Sequence, residues 1–225
     1  LNCDPIARAK AGDPLPCTDI GNVERFYFYN AGKFVYDVTK GEWRVWNGRI
    51  WEEDNGSAIL KAATKTVRSI RFEEAKACPD NTKGLQLYKH SIDSESKGAI
   101  ESMLSLAKRW GDFPHSEFDN NHWIFNCQNG TLDLKTGELK PARKEDYLTK
   151  CSPVHYDPKA DSTKWDNWLY EVLQGDTETI KFLQKAVGYS LSGDISEELF
   201  FFLHGPKRTG KTTFIEAVKS MMGDY

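Results

Sequence analysis

The sequence has no long apolar run, no closely spaced cysteine pair and no histidines at metal-binding spacing. Its longest apolar stretch is the five residues 199–203, whereas a membrane-spanning helix needs about 20. The five cysteines are scattered without a C-x-x-C pair, which argues against a disulfide framework and against a structural zinc site. No secretory signal opens the chain. With 17 glycines and 9 prolines among 225 residues, it is not a low-complexity chain either.

The charge is nearly balanced, with 30 Lys and Arg against 33 Asp and Glu and a net charge of −3. A protein that coats DNA through excess positive charge is therefore not favoured, although a basic groove can lie on a balanced protein. The 39% hydrophobic and 28% charged content excludes disordered and fibrous classes. Together with the reduced thiols that scattered cysteines suggest, these features predict a cytoplasmic protein without a membrane partner.

Three segments are predicted along the chain. Residues 1–17 carry three prolines and no periodicity, so they are interpreted as a linker or tail. Residues 18–160 are predicted to form an α+β domain, with Thr18 as a helix N-cap and Asn47-Gly48 as a two-residue hairpin turn. Residues 161–225 are predicted to begin an α/β domain. The predicted elements are helix 18–30, strands near 34–38 and 43–51, helices 57–77 and 94–110, strands within 122–140, helices 162–173 and 176–191, strand 199–203 and a final helix from about 211.

Two of these predictions depend on the apolar pattern. The predicted inner face of helix 57–77 comprises Ile59, Ala62 or Ala63, Thr66, Val67, Ile70 and Ala77. The wholly apolar run 199–203 is typical of a strand buried on both faces of a parallel sheet.

The segment from Gly205 to Thr212 matches the phosphate-loop pattern G-x-x-x-x-G-K-[ST] in full. Glycine lets such a loop bend around a phosphate with its backbone N–H groups pointing inward, and the following helix directs its positive end at the same phosphate. Lys211 is the predicted catalytic residue, reaching the β- and γ-phosphates, and Thr212 is the predicted Mg²⁺ ligand. The predicted nucleotide-binding residues are Gly205, Pro206, Lys207, Arg208, Thr209, Gly210, Lys211, Thr212 and Thr213.

Two basic groups are candidates for DNA contact. Alternating Arg and Trp across the predicted hairpin could stack bases and neutralise phosphates, but cross-strand packing is the preferred interpretation. The basic face of helix 57–77 is either a solvated face or a DNA contact. The first group is Arg44, Trp46, Arg49 and Trp51; the second is Lys61, Lys65, Arg68 and Arg71.

Several ordered segments resemble the C-terminal region of phage and plasmid primases, which is related to the poxvirus primase-helicase. The resemblance extends over nearly the whole chain from residue 18. The segments that carry it are Thr18–Asn22, Trp46–Trp51, Asn126–Leu139, Tyr147–Thr149, Pro153–Pro158, Phe182–Gly193 and the phosphate loop with the later Gly223–Tyr225.

The resemblance implies a helicase-associated α+β domain in 18–160, followed by the truncated beginning of a superfamily 3 ATPase domain of AAA+ type. It implies ATP with Mg²⁺ as cofactors, DNA as partner, a homo-oligomeric ring, an upstream primase-polymerase domain and a phage or plasmid origin in a bacterial cytoplasm. The phosphate-loop roles carry over to Gly205, Gly210, Lys211 and Thr212.

The same resemblance places the remaining hydrolytic residues after the last helix, so this piece is expected to be inactive alone. Two alternatives stay open at this point: a DNA- or primase-docking module without turnover, and another P-loop enzyme such as a small-molecule kinase.

Overall fold

The computed structural model describes residues 4–109 and 118–225. The chain forms two compact units, Leu1–Trp46 with Glu52–Ser116, and Asn47–Trp51 with Glu117–Tyr225. Both combine helices with one small antiparallel sheet, which agrees with the predicted α+β class. Within the described ranges, no helix has both the length and the apolar character to cross a membrane.

The first unit packs helices against a sheet with the strand order β1-β2-β3. Its elements are α1 (Pro5–Lys10), α2 (Asp19–Asn30), β1 (Phe34–Asp37), β2 (Glu42–Trp46), β3 (Trp51–Glu53), α3 (Ser57–Ser69), a π-helix (Ile70–Glu74), α4 (Ala75–Ala77), α5 (Asn81–Asp93) and α6 (Lys97–Ala107). β1 and β2 are antiparallel, with Phe34 opposite Val45. The core lies between α2, α3, α6 and this sheet, around Phe26, Trp43, Val67 and Met103.

Several predicted features of this unit are confirmed. The Thr18 hydroxyl accepts from the Gly21 N–H at 3.1 Å and caps α2. The inner face predicted for helix 57–77 is buried at Ile59, Ala63, Thr66, Val67 and Ile70. The helix predicted over 94–110 is observed as α6, and its proposed final residue, Trp110, lies outside the described residues.

The prediction of a linker or tail over residues 1–17 is wrong for the part that contains α1 and Leu15. Asp4 caps α1, and Leu15 is only 1% exposed. The cause is Arg25, whose guanidinium donates to the Leu15 and Pro16 carbonyls at 2.9 Å each. Those long-range bonds hold a segment that has no periodic signal of its own. Helix α5 was likewise not predicted.

The hairpin turn predicted at Asn47-Gly48 is also different in the structure. Four residues, 47–50, connect β2 to β3. The Asn47 side-chain oxygen accepts from the N–H groups of Arg49 (2.8 Å) and Ile50 (2.9 Å), and the Asn47 N–H donates to the Ile50 carbonyl at 3.1 Å. This side-chain-to-backbone bonding is typical of an Asx turn and favours the longer loop.

The second unit joins a β-meander to three helices. Its elements are β4 (Ile124–Cys127), β5 (Gly130–Asp133), β6 (Leu139–Lys140), a 3₁₀ turn (Lys144–Asp146), α7 (Thr163–Val172), α8 (Thr177–Leu191) and α9 (Lys211–Met222). The strands pair antiparallel, with Phe125 opposite Leu132 and Leu132 opposite Leu139. The predicted domain boundary at residue 160 falls inside this unit, because the end of α9 is bonded to the segment around Ser152.

The strand predicted over 199–203 is not formed. These residues pair with no other described segment, and the side chains of Phe200 and Phe202 are 86% and 78% exposed. The composition is that of a buried strand, but a strand also needs hydrogen-bonding neighbours and covering layers. The described residues supply neither, so the predicted parallel α/β sheet is absent from this part of the structure.

Candidate nucleotide-binding site

Helix α9 begins at Lys211, directly after Gly210, the second glycine of the phosphate-loop pattern. Gly210 has φ 77°, and a Cβ there would lie 3.0 Å from Trp168 and 3.2 Å from Val172. A side chain at this position would therefore be strained by its backbone and crowded by α7. The glycine of the pattern lets the loop approach α7 closely before the helix starts.

The loop itself is an open concave turn. Gly205 and Arg208 adopt φ values of 142° and 63°, and Arg208 is a non-glycine residue in the left-handed region. The concavity has a volume of about 390 Å³ and is lined by Gly205 and residues 207–213. All but one of the residues predicted to bind nucleotide therefore line a single pocket, and Pro206 lies within the same loop.

The Lys211 ammonium lies inside the turn of the loop. It donates to the carbonyls of Gly205 (3.1 Å) and Pro206 (2.5 Å) and to the Thr209 hydroxyl (3.0 Å). The Thr209 hydroxyl itself donates to the Pro206 carbonyl at 3.0 Å. A cation bonded to neutral acceptors can exchange them for anionic oxygens, which form stronger, charge-assisted bonds.

Thr212 and Thr213 occupy the first turn of α9 and are exposed. The N–H groups of a first helical turn have no intrahelical acceptors, so this end of α9 is suited to an anion. Among the residues that the structure describes, no group of three or more His, Cys, Asp and Glu side chains could hold a metal ion.

Helix α9 is fixed in the second unit along its length. Trp165 stacks on Phe214 with ring centroids 5.9 Å apart, beside an apolar cavity of about 480 Å³ between α7, α8 and α9. At its far end, the Ser152 hydroxyl donates to the Met221 carbonyl at 2.5 Å. These contacts define where α9 directs its first turn.

Tyr225, after α9, makes the longest-range contact in this unit. Its hydroxyl accepts from the Asn126 N–H at 2.9 Å, and its ring stacks on Phe125 at 4.5 Å. Burial raises the pKa of Tyr225 above its usual range. Sequence reasoning missed this contact, because residues 99 positions apart share no periodic signal. Trp168 and Val172, which lie against the loop at Gly210, belong in contrast to the predicted helix 162–173.

The four predicted hairpin contacts to DNA divide between the two units, and two of them, Arg44 and Trp51, are buried. Arg44 is 5% exposed, with bonds to Asp37 (3.2 Å) and Glu42 (2.7 Å). Trp46 is half-buried at the end of β2. These two residues belong to the first unit, where packing occupies the side chain of Arg44.

The other two predicted hairpin contacts belong to the second unit. Trp51 is 3% exposed and donates its indole N–H to the Lys144 carbonyl at 2.8 Å. The Arg49 guanidinium donates to Gln128. Arg44 and Trp51 are therefore buried and bonded within the fold.

Comparison with known proteins identifies related sequences. Residues 23–174 match a family model described as "D5 N terminal like". Over 109 residues the chain is 28% identical to "Putative helicase L207/L206" of Acanthamoeba polyphaga mimivirus, a match covering 47% of this chain and 11% of the viral protein. The chain thus corresponds to a small part of that relative, and the phosphate loop lies outside the residues matched to the family.

Proposed function

Because the chain belongs to the D5 N terminal like family, we propose that it is part of a primase-helicase that binds ATP through residues 205–213. The family membership agrees with the resemblance found in the sequence, and the viral relative carries a helicase name. The whole protein would bind and hydrolyse ATP and unwind DNA. It would also assemble into a ring, carry an upstream primase-polymerase domain and act in the cytoplasm of a bacterial host.

The proposal rests on the position of Lys211. Three acceptors of the loop surround its ammonium within 3.1 Å, at the centre of a turn that also presents the first helical N–H groups of α9. An entering triphosphate would replace the two carbonyls as acceptors and gain charge-assisted bonds. The loop is therefore already closed around the cation that the β- and γ-phosphates need.

Each loop residue then has a distinct role. Backbone N–H groups of residues 207–211 would bind the β-phosphate, because a bent loop that ends in a helix N-terminus directs them inward. Lys211 would stabilise negative charge on the transferred γ-phosphate, and the exposed Thr212 hydroxyl would hold a Mg²⁺ ion that bridges phosphate oxygens.

Replacement of Lys211 by Ala tests this assignment. Binding of a fluorescent ATP analogue with Mg²⁺ to the 225-residue chain is measured by titration. Loss of charged hydrogen bonds worth about 1.5–3 kcal/mol is expected to weaken binding about tenfold or more. The matched control is Lys219→Ala, which removes an exposed lysine of the same helix away from the loop.

Thr212→Ala separates the metal role from the phosphate role. It is expected to weaken binding in Mg²⁺ but to leave the affinity in EDTA unchanged. Equal affinities of the Lys211→Ala and Lys219→Ala variants for the analogue would refute the proposal.

A further inference from the structure

We propose that the outer face of α3 and the π-helix binds single-stranded DNA, with Lys61 and Lys65 on phosphates and Phe72 stacked on a base. The inference rests on the proposed function only in taking DNA as the partner. It assigns the contact to the second of the two basic groups that the sequence suggested, on a surface of the first unit.

The cations form one ridge of α3. Lys61, Lys65 and Arg68 are spaced by four and three residues and so lie on one side of the helix. Arg68 shares Glu95 with Arg71, at 3.1 Å for the Arg68 contact. In the part of the chain that the structure describes, Lys61 and Lys65 are exposed and have no acidic partner. Two positive charges of the ridge are thus available to an anionic ligand.

An exposed aromatic ring continues the same ridge. Phe72 follows Arg68 by four residues and is 54% exposed. The Arg71 guanidinium lies 4.8 Å from its ring centroid and the Lys76 ammonium 5.8 Å. Stacking platforms surrounded by cations are the common feature of sequence-independent single-strand binding. An apolar protein partner would leave Lys61 and Lys65 unpaired, so charge complementarity favours the nucleic acid.

The π-helix explains why Phe72 is directed outward. Ile70 and Glu74 are both fully buried, and the Ala75 N–H bonds to the Ile70 carbonyl five residues back. Glu74 is held inside by Arg25 at 2.8 Å. These two buried residues lie one turn apart on the inner face, so Phe72, midway between them, lies on the outer face. Such π-helical turns are frequent at functional sites.

The dimensions suit a short strand. An open groove of about 560 Å³ runs along this face, lined by Lys61, Lys65, Arg68 and Phe72 among others. The eleven residue-to-residue steps of helix from Lys61 to Phe72 span about 16 Å. At about 3.4 Å per nucleotide in a stacked strand, this length accommodates about five nucleotides.

The test distinguishes the contribution of the two lysine charges to DNA binding from that of the Phe72 ring. Binding of a labelled oligothymidylate to the 225-residue chain is measured over a salt series without nucleotide. Loss of two phosphate contacts in the Lys61→Ala/Lys65→Ala variant is expected to reduce the slope of log K against log salt by about 1.4. Phe72→Ala is expected to weaken binding about tenfold at every salt concentration, with the slope unchanged.

The control is Lys89→Ala/Lys97→Ala, which removes two exposed lysines of the same unit and is expected to change neither quantity. All variants are exposed substitutions, and melting temperatures equal to wild type verify that they fold.

A wild-type salt slope in Lys61→Ala/Lys65→Ala, or unchanged affinity in Phe72→Ala, overturns the proposal. Altered self-association in sedimentation with unchanged DNA binding also overturns it, in favour of a protein contact. ATP-analogue binding is measured without DNA, so the proposed function and this inference fail independently.

Discussion

Replacing Glu74 by Gln removes one charge from an ion pair that is wholly inside the first unit. Arg25 and Glu74 have fully buried side chains, joined by Nη2–Oε2 at 2.8 Å and by two further bonds from Nε at 2.8 and 3.0 Å. The guanidinium also donates to the carbonyls of Leu15 and Pro16. One carboxylate therefore compensates the charge of a group that attaches the segment ending at Leu15 and Pro16 to the core.

The expected magnitude follows from the burial of the remaining charge. Arg25 cannot release its proton, so the Gln variant contains a buried cation with only neutral acceptors. Breaking a buried pair in this way costs about 3–5 kcal/mol. Gln keeps the shape and one acceptor oxygen, so about 3 kcal/mol is expected. With a urea slope of about 1–3 kcal/mol per molar, the unfolding midpoint would fall by about 1–3 M.

Urea unfolding followed by far-ultraviolet circular dichroism measures this loss. Faster proteolysis of residues 5–16 is also expected, because their attachment depends on Arg25. Glu73→Gln is the matched control, since it removes the same charge from an exposed neighbouring position. Arg25→Met/Glu74→Leu is expected to recover much of the loss by replacing the pair with apolar groups. A midpoint for Glu74→Gln equal to that of Glu73→Gln would refute the reasoning.

Three further predictions concern α2 and its neighbours. Gly21→Ala would place a Cβ 2.1 Å from the Pro16 carbonyl oxygen, so a loss of about 1–3 kcal/mol is expected in denaturant unfolding. Thr18→Ala removes the cap of α2 and is expected to cost about 1 kcal/mol in the same assay. Burial lowers the pKa of His90, whose Nε2 lies 2.9 Å from Asn22 Oδ1. The folded state thus favours neutral imidazole, and the melting temperature should fall as pH drops below about 6.5; His90→Gln should reduce this dependence.

Helices with a strong apolar period were predictable from sequence. Ile59, Ala63 and Val67 follow one another at four-residue intervals, and all three are buried in α3. The Thr18 cap also follows from local chemistry, because a hydroxyl at this position needs only the backbone three residues later. Such features depend on neighbours within one or two helical turns, and local sequence therefore determines them.

Elements that depend on distant partners were not predictable. The segment up to Leu15 is ordered by Arg25, and helix α5 buries only Leu87 and Ser91 of its 13 residues. The run 199–203 shows the converse. Its apolar composition is that of a buried strand, but no strand forms, because none of the described residues pairs with it. Composition specifies what a segment can bury, whereas its partners determine whether it does so.

Lys61 and Lys65 of the helix surface differ from Arg44 of the hairpin in having no carboxylate nearby. Arg44 lies in a strand with Glu42 two positions before it and Asp37 on the paired strand, and its planar fork bonds to both. Lys61 and Lys65 have no acidic residue three or four positions away in either direction. A helix therefore offers them no local ion-pair partner. This difference is present in the sequence, and it favours Lys61 and Lys65 over Arg44 as charges available to DNA.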